Sequence, residues 1–483
     1  MKRIVSLILL LAAVFVVLPA CAQKPAEESE TTIKAAASES TPPNDPGLPD
    51  MDFQGAKLRT LVPLTSVIGA VPTEIYADSM NGESLNDAAF SRNSYLMEKY
   101  DFTIVHTVLK DNLNTVKMLI LSGNDEYDLV VGPVKNIAVM APNTLFYDLN
   151  ELPYIDMSRD WWTQGAVTGL SIAGRNYIGV SDLMLDDKQR TFATMFNKST
   201  ADNLGIGNLY ELVDEGGWTI EKMEQMIRLA AHDNGDGKIG LDDTFGMASE
   251  HSSFITYLIG CGVRPTSKDQ DDIPVLTLYS EKTIDVIDRV LGFFCDKSLS
   301  AMAQDYKDTD YWDTAGNLFK AGRVLFVTGP ISWAQDYIAN STVDTGVLPL
   351  PKYDEAQAEY ITMTQYNHAH SFVVPLTAKN TEMIGFLIEV LSAASREYVM
   401  PEYYAKVKSR YVLDNDTPRM LDIIFGNVIY DVGLIYNWGG LSAAISTNLI
   451  SQRANTFASE YAMIEKVIKN AMNLTIESYT NPN

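Results

Sequence analysis

The densest run of potential metal-binding chemistry in this 483-residue chain is "HDNGDGKIGLDD", residues 232–243. In a twelve-residue calcium loop, oxygen ligands fall at positions 1, 3, 5, 7, 9 and 12, with glycine at 6 for the sharp turn. Setting Gly237 as that glycine puts Asn234 at 3, Asp236 at 5, the Lys238 carbonyl at 7 and Asp243 at 12. Ile239 then takes the apolar eighth place. Two requirements fail. His232 stands where the first aspartate belongs, and Asp243 is shorter than the usual bidentate glutamate. The following "TFGMASE" also does not read as a helix. A connecting loop is expected here, and a weakly held structural Ca2+ is the one metal that its pattern admits.

Catalytic constellations are missing from the string. There is no Gly-x-Ser-x-Gly elbow, no His-Glu-x-x-His and no glycine-rich phosphate loop. His368 and His370 lie two apart without a third ligand and read as ordinary polar positions. With 62 acidic against 37 basic residues, net −25, carboxylate pairs are too common to signal general acid–base chemistry. The same charge argues against nucleic acid as a partner. Cys261 and Cys295 sit among apolar neighbours without zinc spacing, and a disulfide and two free thiols both remain open.

The elements that must position any site begin after a leader. Lys2 and Arg3, the apolar run "IVSLILLLAAVFVVL" and "LPAC" (18–21) have the parts of an export signal. Residues 22–50 are rich in Glu, Ser, Thr, Ala and Pro, too poor in apolar side chains to order themselves, and suit a disordered tether. Roughly 430 residues follow, enough for two to three domains. Strands are read at 56–64, 101–108 and 127–133, with helices at 84–100 and over "NLNTVKMLILSGN" between them. Ser84 is read as cap of the first helix, with Leu85, Ala89, Leu96 and Tyr100 on its buried face, and Gly123 as the stop of the second. A second α/β region starts near 190, with strands at 190–198, 323–330, 345–351 and 371–376. Its first long helix runs over "WTIEKMEQMIRLAA", Thr219 as N-cap. A helix over 381–395 and a helical C-terminal stretch complete the chain. Alternation of this kind builds doubly wound sheets.

Several strings, in this order, resemble the bacterial extracellular solute-binding proteins of family 1, the maltodextrin-binding type that serve ABC sugar importers. They are "GESLNDAAFSRN" (82–93), "GNDEYDLVV" (123–131), "FNKSTADNLGI" with "GGWTIEKM" (196–223), "FKAGRVLFVTG" (319–329) and "GVLPLPKYDEAQ" (346–357). "LPAC" resembles a lipobox, which would make Cys21 the acylated first residue of the mature chain on the extracytoplasmic face of the membrane. The "NGDG" loop resembles a connecting segment common in these receptors. The resemblance implies an α/β, two-lobed periplasmic-binding-protein-like fold, with lobes of doubly wound mixed sheets flanked by helices and a hinge crossed more than once. Lobe one would take 51–165 and about 360–400, lobe two about 190–355, and residues 401–483 would buttress the hinge. It further implies a monomeric receptor that passes a carbohydrate to importer permeases and requires no cofactor.

Sugars present apolar ring faces rimmed by hydroxyls, so a matching site wants aromatic platforms and carboxylate or amide partners. At loops and strand ends the substrate-binding candidates are Trp162, Asp182, Trp333, Tyr366, Asn437 and Trp438, with Trp161 and Trp312 as further possibilities. One of Trp161 and Trp162 is expected to pack inward. Trp218, at a helix entry, is expected in the core, and Asn86, Asp87 and Arg92 in a structural network. A lipoprotein glycoside hydrolase is the enzymatic alternative, since carboxylates and aromatics suit both. A receptor for a non-sugar solute such as a peptide is the other.

Overall fold

The computed structural model describes residues 45–64, 75–110, 112–143, 145–306, 311–333, 342–410 and 415–481. The leader, Cys21 and most of the tether lie outside these residues, as does the side chain of Trp312.

Two mixed sheets organise the chain. The first has the order β12-β3-β1-β2, from β1 (Ala56–Pro63), β2 (Phe102–Leu109), β3 (Leu129–Pro133) and β12 (His370–Val373). β1 runs parallel to β2 and β3, while β12 joins β3 antiparallel, with His370 opposite Pro133. Side chains alternate faces along a strand, and here both faces are covered. Val130 enters one apolar cluster with Val116 and Ile137, while its neighbours Leu129 and Val131 enter another with Phe386 and Leu387. The second sheet has the order β10-β4-β9-β5-β8, from β4 (Phe192–Asn197), β5 (Phe245–Ser249), β8 (Ser300–Met302), β9 (Val324–Pro330) and β10 (Thr345–Leu348). β5 is parallel to β8 and β9; β4 is antiparallel to β9 and β10. Short pairs β6–β7 (Thr266–Lys268, Pro274–Leu276) and β11–β13 (Thr362–Met363, Val428–Ile429) lie outside both sheets.

The helix Ser84–Tyr100 buries Leu85, Ala89, Leu96 and Tyr100 as its spacing requires. Its cap is Glu83 rather than Ser84: the Glu83 carboxylate accepts the Asn86 amide at 2.9 Å from an extended backbone position, so Ser84 is already inside the first turn. Arg92 and Asn93 are buried in a polar network onto the Ile75 carbonyl, and Arg92 also reaches Ser395. The helix Ile220–Ala230 buries Ile220, Met223, Ile227 and Ala230, and Thr219 caps it. Trp218 is fully buried, donating to the Pro349 carbonyl at 2.9 Å. Helix Thr381–Tyr398 runs three residues past the expected 395.

The chain passes between the sheets more than once. Gly179 bridges Phe372 beside the first sheet, and twelve residues later Thr191 bridges Thr364 and leads into β4. β11 returns toward β12 beside β13, a strand supplied by the C-terminal segment. The final helix Phe457–Thr480 touches both the turn Ala141–Asn143 and the helix Glu281–Phe294. Cys261 and Cys295 are free thiols, and burial pushes them up to about 12 and about 11 respectively. No helix among the described residues is long and apolar enough to cross a membrane.

Candidate ligand-binding site at the hinge

The hinge segment carries the charges. Between Leu185 and Arg190, a single helical turn (Asp186–Gln189) buries Asp186, Asp187 and Lys188 where an apolar crossing would be cheaper. Consecutive residues of this turn serve two different clusters.

The first cluster lines a cavity of about 510 Å³ between the start of helix Gln164–Leu170, the hinge, and the helices that follow Arg396. Lys188 Nζ lies 3.1 Å from Asp182 and 3.3 Å from Asp187, and Arg396 approaches Asp182 at 3.7 Å. Burial alone would push the Lys188 ammonium down; Asp187 and Asp182 reverse this and hold it above its ordinary value. Thr163 donates to Asp187 at 3.0 Å. Apolar surface comes from Trp162, Met400, Tyr404 and Phe425, the last two edge to face at 6.1 Å. Asp160 and Asp422 complete the wall.

Behind the cavity, Trp161 and Trp162 both pack inward and donate their indole N–H groups to one carboxylate, Glu389, at 2.9 and 3.1 Å. Trp162 is 1 % exposed, so only an edge of it reaches the cavity. Burial pushes the Glu389 carboxyl up to about 7 against the pull of the two indoles.

The second cluster takes the alternate side chains. Asp186 pairs with Arg190 (3.5 Å) and lies 2.8 Å from His370 Nδ1, and Arg190 donates to Ser332 at 3.3 Å. Burial works to raise the Asp186 carboxyl, but His370 and Arg190 outweigh it and hold it below the usual range. His368 is driven down by burial, next by Arg190, and is neutral at pH 7. Because β5 and β9 are parallel, the chain leaves both at the same edge of the sheet, the place where open α/β sheets present ligand groups. Glu250 follows β5 and is 6 % exposed; burial raises its carboxyl, and Ser252 donates to it. Ser332 and the half-buried Trp333 follow β9.

Of the six sequence candidates, Trp162 and Asp182 thus meet at one cavity, and Trp333 stands at the strand ends. The other three spend their polar atoms internally. The Tyr366 hydroxyl donates to the Ile429 carbonyl at 2.8 Å and its ring packs on Tyr430. Asn437 adopts a left-handed turn and accepts the Ser442 amide. Trp438 is 3 % exposed, donates to Thr475 and stacks on Tyr436. Lys188, Arg396, Tyr404, Arg190 and Glu250 were not singled out from sequence. The available signal was "LMLDDKQRT", a charged run set between two strands.

In the 232–243 loop the oxygens are already engaged. Both Asp243 oxygens accept backbone amides, from Asn234 (2.9 Å) and Gly240 (2.8 Å). Asp233 accepts Gly235 and Gly237, and Asp236 accepts Lys238. Arg323 donates to the Asp242 carbonyl, and His232 pairs with Thr244 ahead of β5. Each Asp243 oxygen thus already accepts one backbone amide, and His232 leaves the first ligand place without an oxygen, so this arrangement adds nothing to the calcium pattern of Asn234, Asp236, Lys238 and Asp243. Among the described residues no group of three or more His, Cys, Asp or Glu is placed to hold a metal.

No family model and no curated protein matches the chain. Its fold, however, is found among solved structures. A cyclo/maltodextrin-binding protein complexed with maltotetraose is 14% identical, with a TM-score of 0.55 over 89% of this chain and 97% of that one. A sugar transporter from Rhizobium etli in an open conformation is 13% identical, with a TM-score of 0.56 over 88% and 99%. UgpB from Mycobacterium tuberculosis, in complex with glycerophosphocholine, is 16% identical, with a TM-score of 0.55 over 82% and 98%. The sequence resemblance is therefore matched in three dimensions: the chain has the two-lobed α/β fold of these solute-binding proteins.

Proposed function

We propose that this chain is an extracytoplasmic substrate-binding receptor of an ABC importer. Lipid attached at Cys21 would anchor it, and it would capture a sugar or oligosaccharide between its lobes and present it to the permease. The observation that carries this reading is the cavity at the hinge. Its volume lies within the usual range for small-ligand sites, roughly 300–1,000 Å³. Its wall combines carboxylates with aromatic surface, the pairing that polyhydroxylated rings require. Asp182 and Asp187 would accept sugar hydroxyls beside Lys188 and Arg396, and Tyr404 and Phe425 would meet ring faces.

Glu250, Arg190 and Trp333 support a second placement of the same ligand, at the strand ends. A buried carboxylate with a raised titration point at a strand end is a recurrent mark of a functional site. Calorimetric titration with mono- and oligosaccharides tests both. For the cavity, Asp182→Asn is expected to weaken sugar binding at least tenfold while Glu250→Gln leaves it intact; the reverse result moves the ligand to the strand ends. Release of reducing ends over time would make the protein a glycan hydrolase. Stabilisation by peptides or polar headgroup esters but by no glycan would make it a receptor for another solute.

A further inference from the structure

A second cavity, of about 280 Å³, lies against β13 and is lined by Gly165, Thr168, Arg264, Lys268, Tyr430 and Asp431 among others. Its charged groups are unequally satisfied. Lys268 donates to the carbonyls of Thr168 and Ser171 and to the Ser171 hydroxyl, and pairs with Asp272 at 2.9 Å. Asp431 is buried, and its two oxygens take the amides of Thr266 (2.9 Å) and Leu434 (3.1 Å). Arg264 feels the Asp431 carboxylate only through space, without a direct bond to it. Its half-buried guanidinium has neither ion pair nor hydrogen bond among the described residues, in a chain whose net charge is −25. Leaving a desolvated guanidinium unpaired is costly, and burial pushes its titration point down.

We infer that this cavity binds a small oxyanion, a phosphate or carboxylate group, on the fork of Arg264. The planar guanidinium offers parallel N–H donors that match such a group bidentately, which an ammonium cannot do. Lys268 adds positive potential without being released from its own partners, and Thr168 and Thr266 put hydroxyls in or beside the wall. The site joins helix Gln164–Leu170, which precedes the hinge crossing, to the β6 strand that follows it. An anion held there would tie the two segments together, outside the sugar cavity.

The test uses the full chain in a buffer free of phosphate and carboxylate, with no sugar present, so its result is independent of the receptor reading. Inorganic phosphate, and separately acetate, are titrated against wild type, Arg264→Met and Arg264→Lys, with NaCl at equal ionic strength as control. The expected result is a saturable rise in melting temperature for wild type beyond the NaCl control. Arg264→Met abolishes it, and Arg264→Lys weakens the anion about tenfold by losing the fork. Preference between phosphate and acetate assigns the source of the oxyanion. An equal response in wild type and Arg264→Met, or a wild-type response no larger than that to NaCl, overturns the inference. Should Arg264→Met fail to fold, an unchanged anion affinity in Arg264→Lys overturns it equally.

Discussion

At the residue scale, the most telling group is Glu389, because one carboxylate satisfies two indoles and titrates near neutrality. Its folded value is pushed up to about 7 from an ordinary 4.5. Between those values the folded protein holds more proton than the unfolded chain, so this group makes stability fall as pH rises from about 4.5 to about 7. The sign is opposite to that of a salt-bridged carboxylate. Glu389→Gln removes the titration and, through its NH2, also costs one indole its acceptor, roughly 1–3 kcal/mol. In urea unfolding at pH 5, 6, 7 and 8, the stability advantage of wild type over the variant should shrink as pH rises to 7 and then level off. Parallel curves would show that Glu389 does not titrate in this window. No spacing in "DWWTQG" announces this partnership, since Glu389 lies more than two hundred residues away.

At the element scale, packing is set by how closely backbones approach, and two glycines make the contrast. A Cβ on Gly165 would fall 1.9 Å from the Val428 carbonyl oxygen, backbone against backbone, with no rotamer to relieve it. Gly165→Ala must therefore part helix Gln164–Leu170 from β13, at a cost of about 3 kcal/mol by the usual range for overpacking. Gly292, in the helix Glu281–Phe294, would meet nothing within 4 Å. Gly292→Ala should instead stabilise by about 0.5–1 kcal/mol through helix propensity. Thermal unfolding of the two variants side by side checks both signs. The 232–243 loop belongs to this scale as well. With Asp243 and Asp233 committed to their own backbone, calcium and a chelator should give the same melting temperature, and a calcium-dependent rise would show that the loop opens to bind the ion.

The regular elements were legible because their signals are local. Alternation marks β2, a 3.6-residue period marks Ile220–Ala230, and Thr219 marks its start. The cavity of the proposed site was legible only where an aromatic or carboxylate stood beside a strand or loop signal, as at Trp162 and Asp182, which line it. Tyr366 and Trp438 carry the same local signal, yet β13 and the C-terminal helix take their polar atoms, a long-range fact that no window of sequence contains, while Asn437 closes locally on the Ser442 amide. The acidic loop is the converse case: its spacing resembles a ligand set, and its carboxylates close on backbone amides of the same loop, as a connecting loop does.

At the scale of the whole molecule, the buried ionic cluster on the first crossing bears on how ligand binding would be linked to closure under the proposed function. A ligand shifts the open–closed balance only by its differential affinity for the two states. Asp182, Asp187 and Lys188 sit on the first crossing, and Arg396 closes on Asp182 from the end of the helix Thr381–Tyr398. Under the proposed function, a hydroxylated solute in the cavity would touch the crossing and the end of this helix together, the bridging that ligand-driven closure requires. Removing Lys188 leaves Asp187 and Asp182 buried without their shared cation, a loss of about 3–5 kcal/mol for a broken buried pair. Lys188→Met should thus lower the melting temperature and weaken sugar binding together. Arg396→Met, whose partner is 3.7 Å away and whose side chain is 40% exposed, should change stability by less than about 1 kcal/mol. Small-angle scattering with and without saturating sugar then separates the roles. Wild type and Arg396→Met should both contract on binding, and Lys188→Met should not. Contraction of Lys188→Met to the same radius would place the coupling elsewhere, and the strand-end set of Glu250, Arg190 and Trp333 would be the next segment to test.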